Sequence, residues 1–303
     1  MDTIFITGGS GLLALNWAVT IRDDSRVFLG LYDRKVSLTG VGSMFINLNS
    51  VDDLTNILSN CKAQIVVHTA GLTSVEECEA NPELARHVNS DLSYNVAKAC
   101  NRLGVRMVHI STDHLFSGDI PLVDENHPVN PKNVYGRTKA EAEIRVLETH
   151  PSALVIRTNF YGWGPKYRSS FSDIIVNALR TGKELNLFQD VYYTPILAET
   201  MVLQVHDLIS KQAEGIFNVV GDDRISKYEF GLQLARQYNY DTNKINPVLM
   251  VEKADLVQRP HDLSLSNRKT CEFLKRHSGS ITADIARLYK QEHLNKIKEL
   301  KSL

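Results

Sequence analysis

Three groups of residues could do chemistry together. The first is Thr7-Gly8-Gly9-Ser10-Gly11-Leu12-Leu13-Ala14. The Gly8-x2-Gly11-x2-Ala14 spacing lets the backbone turn tightly and approach a pyrophosphate. A helix starting there aims its free N–H groups and positive dipole end at that anion. Ala14 in place of a third glycine still permits close helix–sheet packing. The second group is Tyr135-x3-Lys139. Residues four apart share a helix face, so the ammonium can sit beside the phenol and lower its pKa. Such a tyrosine is a general acid for a ketone oxygen. The third is Ser111-Thr112-Asp113, a polar strand end where Thr112 can hydrogen-bond the oxygen that Tyr135 protonates. Tyr94/Lys98 and Tyr240/Lys244 share the spacing without that context. Tyr94 lies mid-helix among Val88, Leu92, Val96 and Ala99, and Tyr240 sits in a polar stretch running toward Pro247.

The elements that must position these groups alternate. Apolar runs at 3–7, 27–32, 44–46, 64–68, 105–111 and 153–157 read as strands. Helical patterns at 12–21, 51–58, 82–103 and 134–150 lie between them, the third closed by Gly104 and the fourth by Pro151. Continuous apolar strands interleaved with helices imply a parallel sheet covered on both faces. Right-handed crossovers then give an α/β fold, a Rossmann-type doubly wound sheet, with ligands outside the strand carboxyl ends. Further on, 171–180, 199–209 and 227–238 read as helices and 215–220 as a strand. No Pro/Gly/Ser-rich linker separates the halves. Residues 1–160 are therefore expected to form the dinucleotide-binding domain, with a returning segment near 196–225. Residues 161–195 and 226–303 would form a smaller, interleaved substrate-binding part.

Asp33-Arg34-Lys35 ends the second strand. Asp33 could accept from an adenosine ribose 2′-hydroxyl, and Arg34 could accommodate a 2′-phosphate. The basic pair favours NADP(H), with NAD(H) as the alternative. The 303 residues carry 34 Lys+Arg against 35 Asp+Glu, a net charge of −1 that argues against nucleic acid or an anionic membrane as partner. The uncharged stretch 3–21 contains three glycines and Asn16 and follows Asp2, which suits neither a spanning helix nor a signal peptide. A cytoplasmic protein is expected. Cys61, Cys78, Cys100 and Cys271 are widely spaced and read as reduced thiols, and no metal site is expected. His109 reads as a satisfied core residue, and Trp163 either as a packed loop aromatic or as a platform stacked on the base or sugar of a nucleotide. Arg168 and Arg259 are candidates to neutralise a substrate diphosphate, and the lysines of the C-terminal stretch read as a solvated face.

With His68-Thr69-Ala70-Gly71, Val88-Asn89, Ser111-Thr112-Asp113-His114-Leu115-Phe116-Ser117-Gly118, Tyr135-Gly136-Arg137-Thr138-Lys139 and Arg157-Thr158-Asn159-Phe160, these motifs stand in the order of an extended short-chain dehydrogenase/reductase. The Ser-Thr-Asp-x2-Phe-x-Gly stretch resembles the dTDP-4-dehydrorhamnose reductase family, and Tyr192-Tyr193-Thr194-Pro195 and Arg259-Pro260 resemble its later segments. The resemblance is dense over residues 1–165 and thin beyond. It implies hydride transfer to a nucleotide-linked 4-keto-6-deoxy sugar, with Thr112, Tyr135 and Lys139 as the catalytic set. It implies cofactor contacts at Gly8, Gly11, Leu12, Leu13, Asp33, Arg34, Asn47, Leu48, Ala70, Gly71, Thr73, Tyr135, Lys139, Asn159 and Phe160. Thr112, His114, Asn159, Thr194 and Arg259 would meet the substrate.

Two positions depart from the family pattern. Asn47 replaces an acidic residue at the adenine position, and His114 stands where the family has tyrosine. In related dehydratases that second position is glutamate and serves elimination, so His114 argues against that chemistry. Sugar-nucleotide epimerisation on the same scaffold is one alternative. Another is a non-catalytic NADP-binding regulatory subunit, like the relative that controls methionine adenosyltransferase. The expected partners are a sugar-nucleotide substrate and, compatible with the resemblance, a second copy of the chain in a homodimer.

Overall fold

Thr3–Thr7 is buried at every position and forms β1 of the computed structural model, which describes residues 1–253 and 256–303. The elements that follow are α1 (Leu12–Ile21), β2 (Arg26–Leu31), β3 (Val41–Phe45), α2 (Val51–Cys61), β4 (Ile65–His68), α3 (Val75–Ala80) and α4 (Pro82–Arg86). A π-turn, His87–Asp91, joins α4 to α5 (Leu92–Leu103). Then come β5 (Arg106–Ile110), α6 (Val134–Thr149), β6 (Leu154–Arg157) and β7 (Phe160–Tyr161). Next are α7 (Phe171–Arg180), β8 (Leu185–Phe188), β9 (Tyr192–Tyr193), β10 (Ile196–Leu197), α8 (Ala198–Ser210) and β11 (Gly215–Asn218). The chain ends with β12 (Ile225–Ser226), α9 (Lys227–Gln237), β13 (Ile245–Val248), α10 (Arg268–Leu274), α11 (Ile281–Gln291) and α12 (Asn295–Ser302).

Seven strands form one parallel sheet in the order β11-β6-β5-β4-β1-β2-β3. The fold is Rossmann-type α/β, as the alternation of apolar runs and helical patterns predicts. Alternate residues feed two faces. Ile4, Ile6, Leu29, Val67 and Val108 share a core with Trp17 and Ala18 of α1 and Val205 of α8. Phe5, Val66, Met107 and Val155 share the other with Leu54 and Leu58 of α2, Val96 of α5 and Val146 of α6. Winding runs outward from β1 to β3, then restarts at β4 on the far side of β1. The loops after β1 and β4 diverge there and leave a crevice at the strand carboxyl ends, where such sheets bind ligands.

Polar residues hold the helices that border this crevice. Asn16, buried inside α1, donates to the carbonyls of Leu12 and Trp163 at 2.8 and 2.7 Å. Asn133 caps α6 by accepting from Gly136 N at 2.9 Å, which fixes where the Tyr135 turn begins. Ser170 and Asp173 cap α7 reciprocally, as Ser226 and Glu229 cap α9. The expected single helix over 82–103 is interrupted by the π-turn. The cause is Asn89, whose amide accepts from Leu72 N at 2.8 Å and donates to Leu72 O at 3.1 Å and Thr138 Oγ1 at 3.0 Å. One extra residue in that turn aims the side chain at both neighbours.

The second half contributes β11 to the large sheet and packs α8 on α1. Its other strands pair outside that sheet, as β10 with β7, β12 with β9 and β13 with β8. The C-terminal lysines are not a plain solvated face. Lys296 pairs with Glu199 and Lys301 with Glu292, and the Lys301 ammonium lies 4.0 Å from the Trp163 ring centroid. All four cysteines are free, three of them buried. No described helix is long and apolar enough to cross a membrane.

Candidate active site

A cleft of about 680 Å³ opens at the carboxyl ends of β1, β4 and β5. Its floor is the loop between β1 and α1. Gly8 has φ +67°, and a Cβ there would lie 2.8 Å from the Ala70 backbone; a Cβ on Gly11 would lie 2.9 Å from Gly8 O. Gly8 N–Cα–C is therefore pressed against the loop after β4, with room for backbone only. Gly11 caps α1 without a side chain to satisfy the first-turn N–H groups, which remain free for an anion. This cradle fits a dinucleotide. Leu12, Leu13, Asp33, Leu48, Ala70, Gly71 and Thr73 line the same cleft.

Thr112, Tyr135 and Lys139 meet on the facing wall, with His114, Asn159 and Phe160. Tyr135 and Lys139 lie in the first turns of α6, and Thr112 follows the end of β5. The Thr112 hydroxyl donates to Asp113 Oδ1 at 3.2 Å and accepts from His114 N at the same distance. The Lys139 ammonium donates to Ile110 O at 2.6 Å. Burial lowers its pKa to about 8, with Glu143 opposing. Burial raises the Tyr135 phenol to about 12, while the Thr112 side chain beside it acts in the opposite direction. The four-residue spacing predicts that Lys139 lowers the phenol's pKa. In the structure one of the three ammonium protons goes to a main-chain carbonyl, and desolvation prevails. The phenol is consequently protonated at neutral pH and has a proton to donate.

The same wall carries a second polar cluster. Asn159 Nδ2 donates to Asp113, whose carboxylate is almost wholly buried. The Lys227 ammonium, in the first turn of α9, lies 3.4 Å from the Tyr193 ring centroid and feels the Asp113 charge. Burial lowers Lys227 to about 8. The His114 ring packs edge-on to Tyr135, with centroids 5.5 Å apart, and its Nε2 is 4.0 Å from Asp113 Oδ1.

Residues 1–293 match the family described as RmlD substrate binding domain. The chain belongs to that family. A "probable low-salt glycan biosynthesis reductase Agl14" of Haloferax volcanii is 25% identical over 261 residues, covering 84% of this chain and 87% of that protein. The methionine adenosyltransferase 2 subunit beta of Xenopus tropicalis is 26% identical over 251 residues, covering 80% and 74%. Among solved structures, a hypothetical dTDP-4-dehydrorhamnose reductase from Sulfolobus tokodaii superposes with a TM-score of 0.80 at 25% identity, covering 92% of this chain and 97% of the other.

Four expected site residues of this RmlD-family chain lie outside the cleft lining. Thr194 is buried, its hydroxyl accepting from Leu265 N at 3.1 Å and donating to Leu265 O at 3.4 Å. Arg259 pairs with Glu76. Asn47 accepts from Asn49 N at 3.0 Å and from its side chain at 3.2 Å; the neighbours Leu48 and Asn49 line the cleft instead. Arg34 lays its guanidinium over the Tyr167 ring, 4.1 Å from the centroid. Trp163 is fully buried, donating to Leu288 O at 3.2 Å. His109 is a core residue as expected, but neither ring nitrogen has a partner among the described residues. Sequence reasoning missed Lys227 and Tyr167, whose partners lie 114 and 157 positions away. The capping motif Ser226-x2-Glu229 marks the helix that carries Lys227 but says nothing of what it faces.

Proposed function

We propose that this chain is an NAD(P)H-dependent reductase of a nucleotide-linked 4-keto-6-deoxy sugar. The observation that carries the reading is that Thr112, Tyr135 and Lys139 share one cleft with the glycine cradle before α1. The Haloferax glycan biosynthesis reductase and the Sulfolobus dTDP-4-dehydrorhamnose reductase, as relatives, support a reductase. When bound, the nicotinamide cofactor supplies the hydride. The chain supplies placement and electrostatics. Gly8, Gly11 and the α1 N-terminus would hold the diphosphate; Ala70, Gly71 and Thr73 would flank it; Asp33 would face the adenosine ribose, and Arg34, next to it and stacked on Tyr167, would reach a 2′-phosphate there. Asn159 and Phe160, which line the same cleft, would border the nicotinamide end.

Tyr135 holds its phenolic proton and delivers it to the carbonyl oxygen as negative charge develops there. Thr112 turns its hydroxyl from Asp113 to that oxygen, a contact that strengthens with the charge. Lys139 stabilises the tyrosinate left behind. His114 and Asn159 border the sugar. Residues 161–195 and 226–303 form the substrate-binding part, and 196–225 returns to the main sheet, a division supported by β11 joining that sheet. Arg34 favours NADP(H).

The test is a panel of dTDP-, UDP- and GDP-linked 4-keto-6-deoxy sugars with NADPH and NADH, followed by NADPH absorbance and product analysis. Turnover with at least one of them is expected. The alternative reading is a non-catalytic NADP-binding regulatory subunit. That reading requires NADPH binding without oxidation of NADPH by any member of the panel, and copurification with a partner enzyme.

A further inference from the structure

Residues 165–170 cross the mouth of the cleft and tie its two rims. On one rim, the Tyr167 hydroxyl donates to Ser10 O, in the glycine loop, at 2.9 Å. On the other, Arg168 Nη2 donates to Thr73 Oγ1, in the loop after β4, at 2.8 Å. Ser10, Gly11, Thr73 and Arg168 all line the cleft. The crossing is rigid at its base. Asp173 Oδ2 accepts from Gly164 N at 2.7 Å and Ser170 N at 2.9 Å, and Ser170 Oγ donates to Gly162 O at 2.5 Å. Gly164 packs so closely on the Arg168 carbonyl that a Cβ would lie 2.1 Å from it. Arg168 N closes the turn on Pro165 O at 3.0 Å.

The charge of this crossing is one-sided. Arg34 stacks on Tyr167, and Arg168 acts on the same phenol from its own position. Two guanidinium groups thus stand beside the positive end of α1. Like charges in one place raise each other's energy unless an anion sits among them. Among the described residues the Arg168 side chain is bonded only to a neutral hydroxyl, which a phosphate oxygen can replace as a stronger, charge-assisted acceptor.

We propose that Arg168 is a ligand of the cofactor's diphosphate, and that residues 165–170 form a clasp closing over it, with Tyr167 as its latch on the glycine loop. This rests on the dinucleotide reading given above and extends it to a segment outside the glycine cradle. The clasp slows release of the cofactor.

The test is binding rather than turnover. NADPH fluorescence titration and stopped-flow dissociation are measured on the full chain for wild type, Arg168→Gln, Arg168→Lys and Tyr167→Phe. ADP-ribose, which carries the diphosphate, and 2′-AMP, which lacks it, serve as competitors. Arg168 is exposed, and thermal unfolding of each variant checks that it folds. Arg168→Gln is expected to weaken NADPH and ADP-ribose by roughly tenfold to a hundredfold, as loss of a charged hydrogen bond does, while 2′-AMP is unaffected. Arg168→Lys recovers part of the loss, and Tyr167→Phe speeds NADPH dissociation. Equal NADPH affinity in wild type and Arg168→Gln overturns the proposal. So does weakening of dTDP binding in place of NADPH. A wild-type chain that binds no NADPH overturns the dinucleotide reading and the clasp with it.

Discussion

Replacing His109 by leucine should change how many protons the chain takes up when it unfolds. His109 on β5 and His68 on β4 are register partners, stacked with ring centroids 5.6 Å apart and planes at 22°. His68 is satisfied as a neutral ring. The single Ser93 hydroxyl proton goes to Asn89 O at 2.6 Å, so Ser93 accepts from His68 Nε2 at 3.0 Å. His68 Nδ1 then accepts from Thr7 Oγ1 at 2.7 Å. Burial, with the Lys139 charge added, lowers His68 to about 3 and His109 well below its ordinary 6.5. Both folded-state values are depressed, so the unfolded chain binds protons first. The stability this contributes is complete above pH 6.5 and is lost as pH falls below it.

At pH 5.5 an unfolded histidine holds about 0.9 proton and the buried one almost none. Wild type should therefore take up about 0.9 proton more than His109→Leu on unfolding, a difference of about 1.2 kcal/mol in stability per pH unit. Between pH 7.5 and 5.5 the wild type should lose about 1.4 kcal/mol more than the variant. At pH 7.5 the variant should match or exceed wild type, because two unpaired buried nitrogens, each costing about 1–3 kcal/mol, are gone. Proton uptake is read by pH-stat on urea unfolding at pH 5.5, with urea midpoints at both pH values. Equal uptake by the two chains would refute the claim that burial keeps His109 neutral.

Two further outcomes follow from the same geometry. Glu143→Gln breaks a buried pair in which both partners' side chains are under 5% exposed and Arg157 binds the carboxylate through two nitrogens. It should cost about 3–5 kcal/mol in urea unfolding, and a loss below about 1 kcal/mol would contradict the pairing. Arg34→Ala should weaken NADPH roughly tenfold more than NADH in fluorescence titrations, since only NADPH carries the 2′-phosphate. An unchanged ratio removes that role.

Much of the architecture was legible because parallel strands buried on both faces read as continuous apolar runs, as in Thr3–Thr7 and Ile65–His68. The cradle and the Tyr135/Lys139 turn were legible because their partners are local, within one loop or one helical turn. What escaped was set by distant contacts. The π-turn exists for the bonds of Asn89 to Leu72 and Thr138, 17 and 49 positions away. The two-residue strands β7, β9, β10 and β12 are too short for any periodicity, and pairing alone defines them. Thr194 and Leu265 are 71 positions apart, so nothing local reveals that the hydroxyl is already used. The raised phenol pKa likewise depends on how deeply α6 packs, which spacing does not report.

Tyr135 as proton donor to a keto sugar is the central step. The direct measurement is single-turnover oxidation of bound NADPH by a dTDP-linked 4-keto-6-deoxy sugar, in wild type and Tyr135→Phe, with NADPH affinity measured on both. The prediction is a rate lower by about a hundredfold to ten-thousandfold in the variant, at nearly unchanged NADPH affinity. Equal rates in the two chains would contradict it.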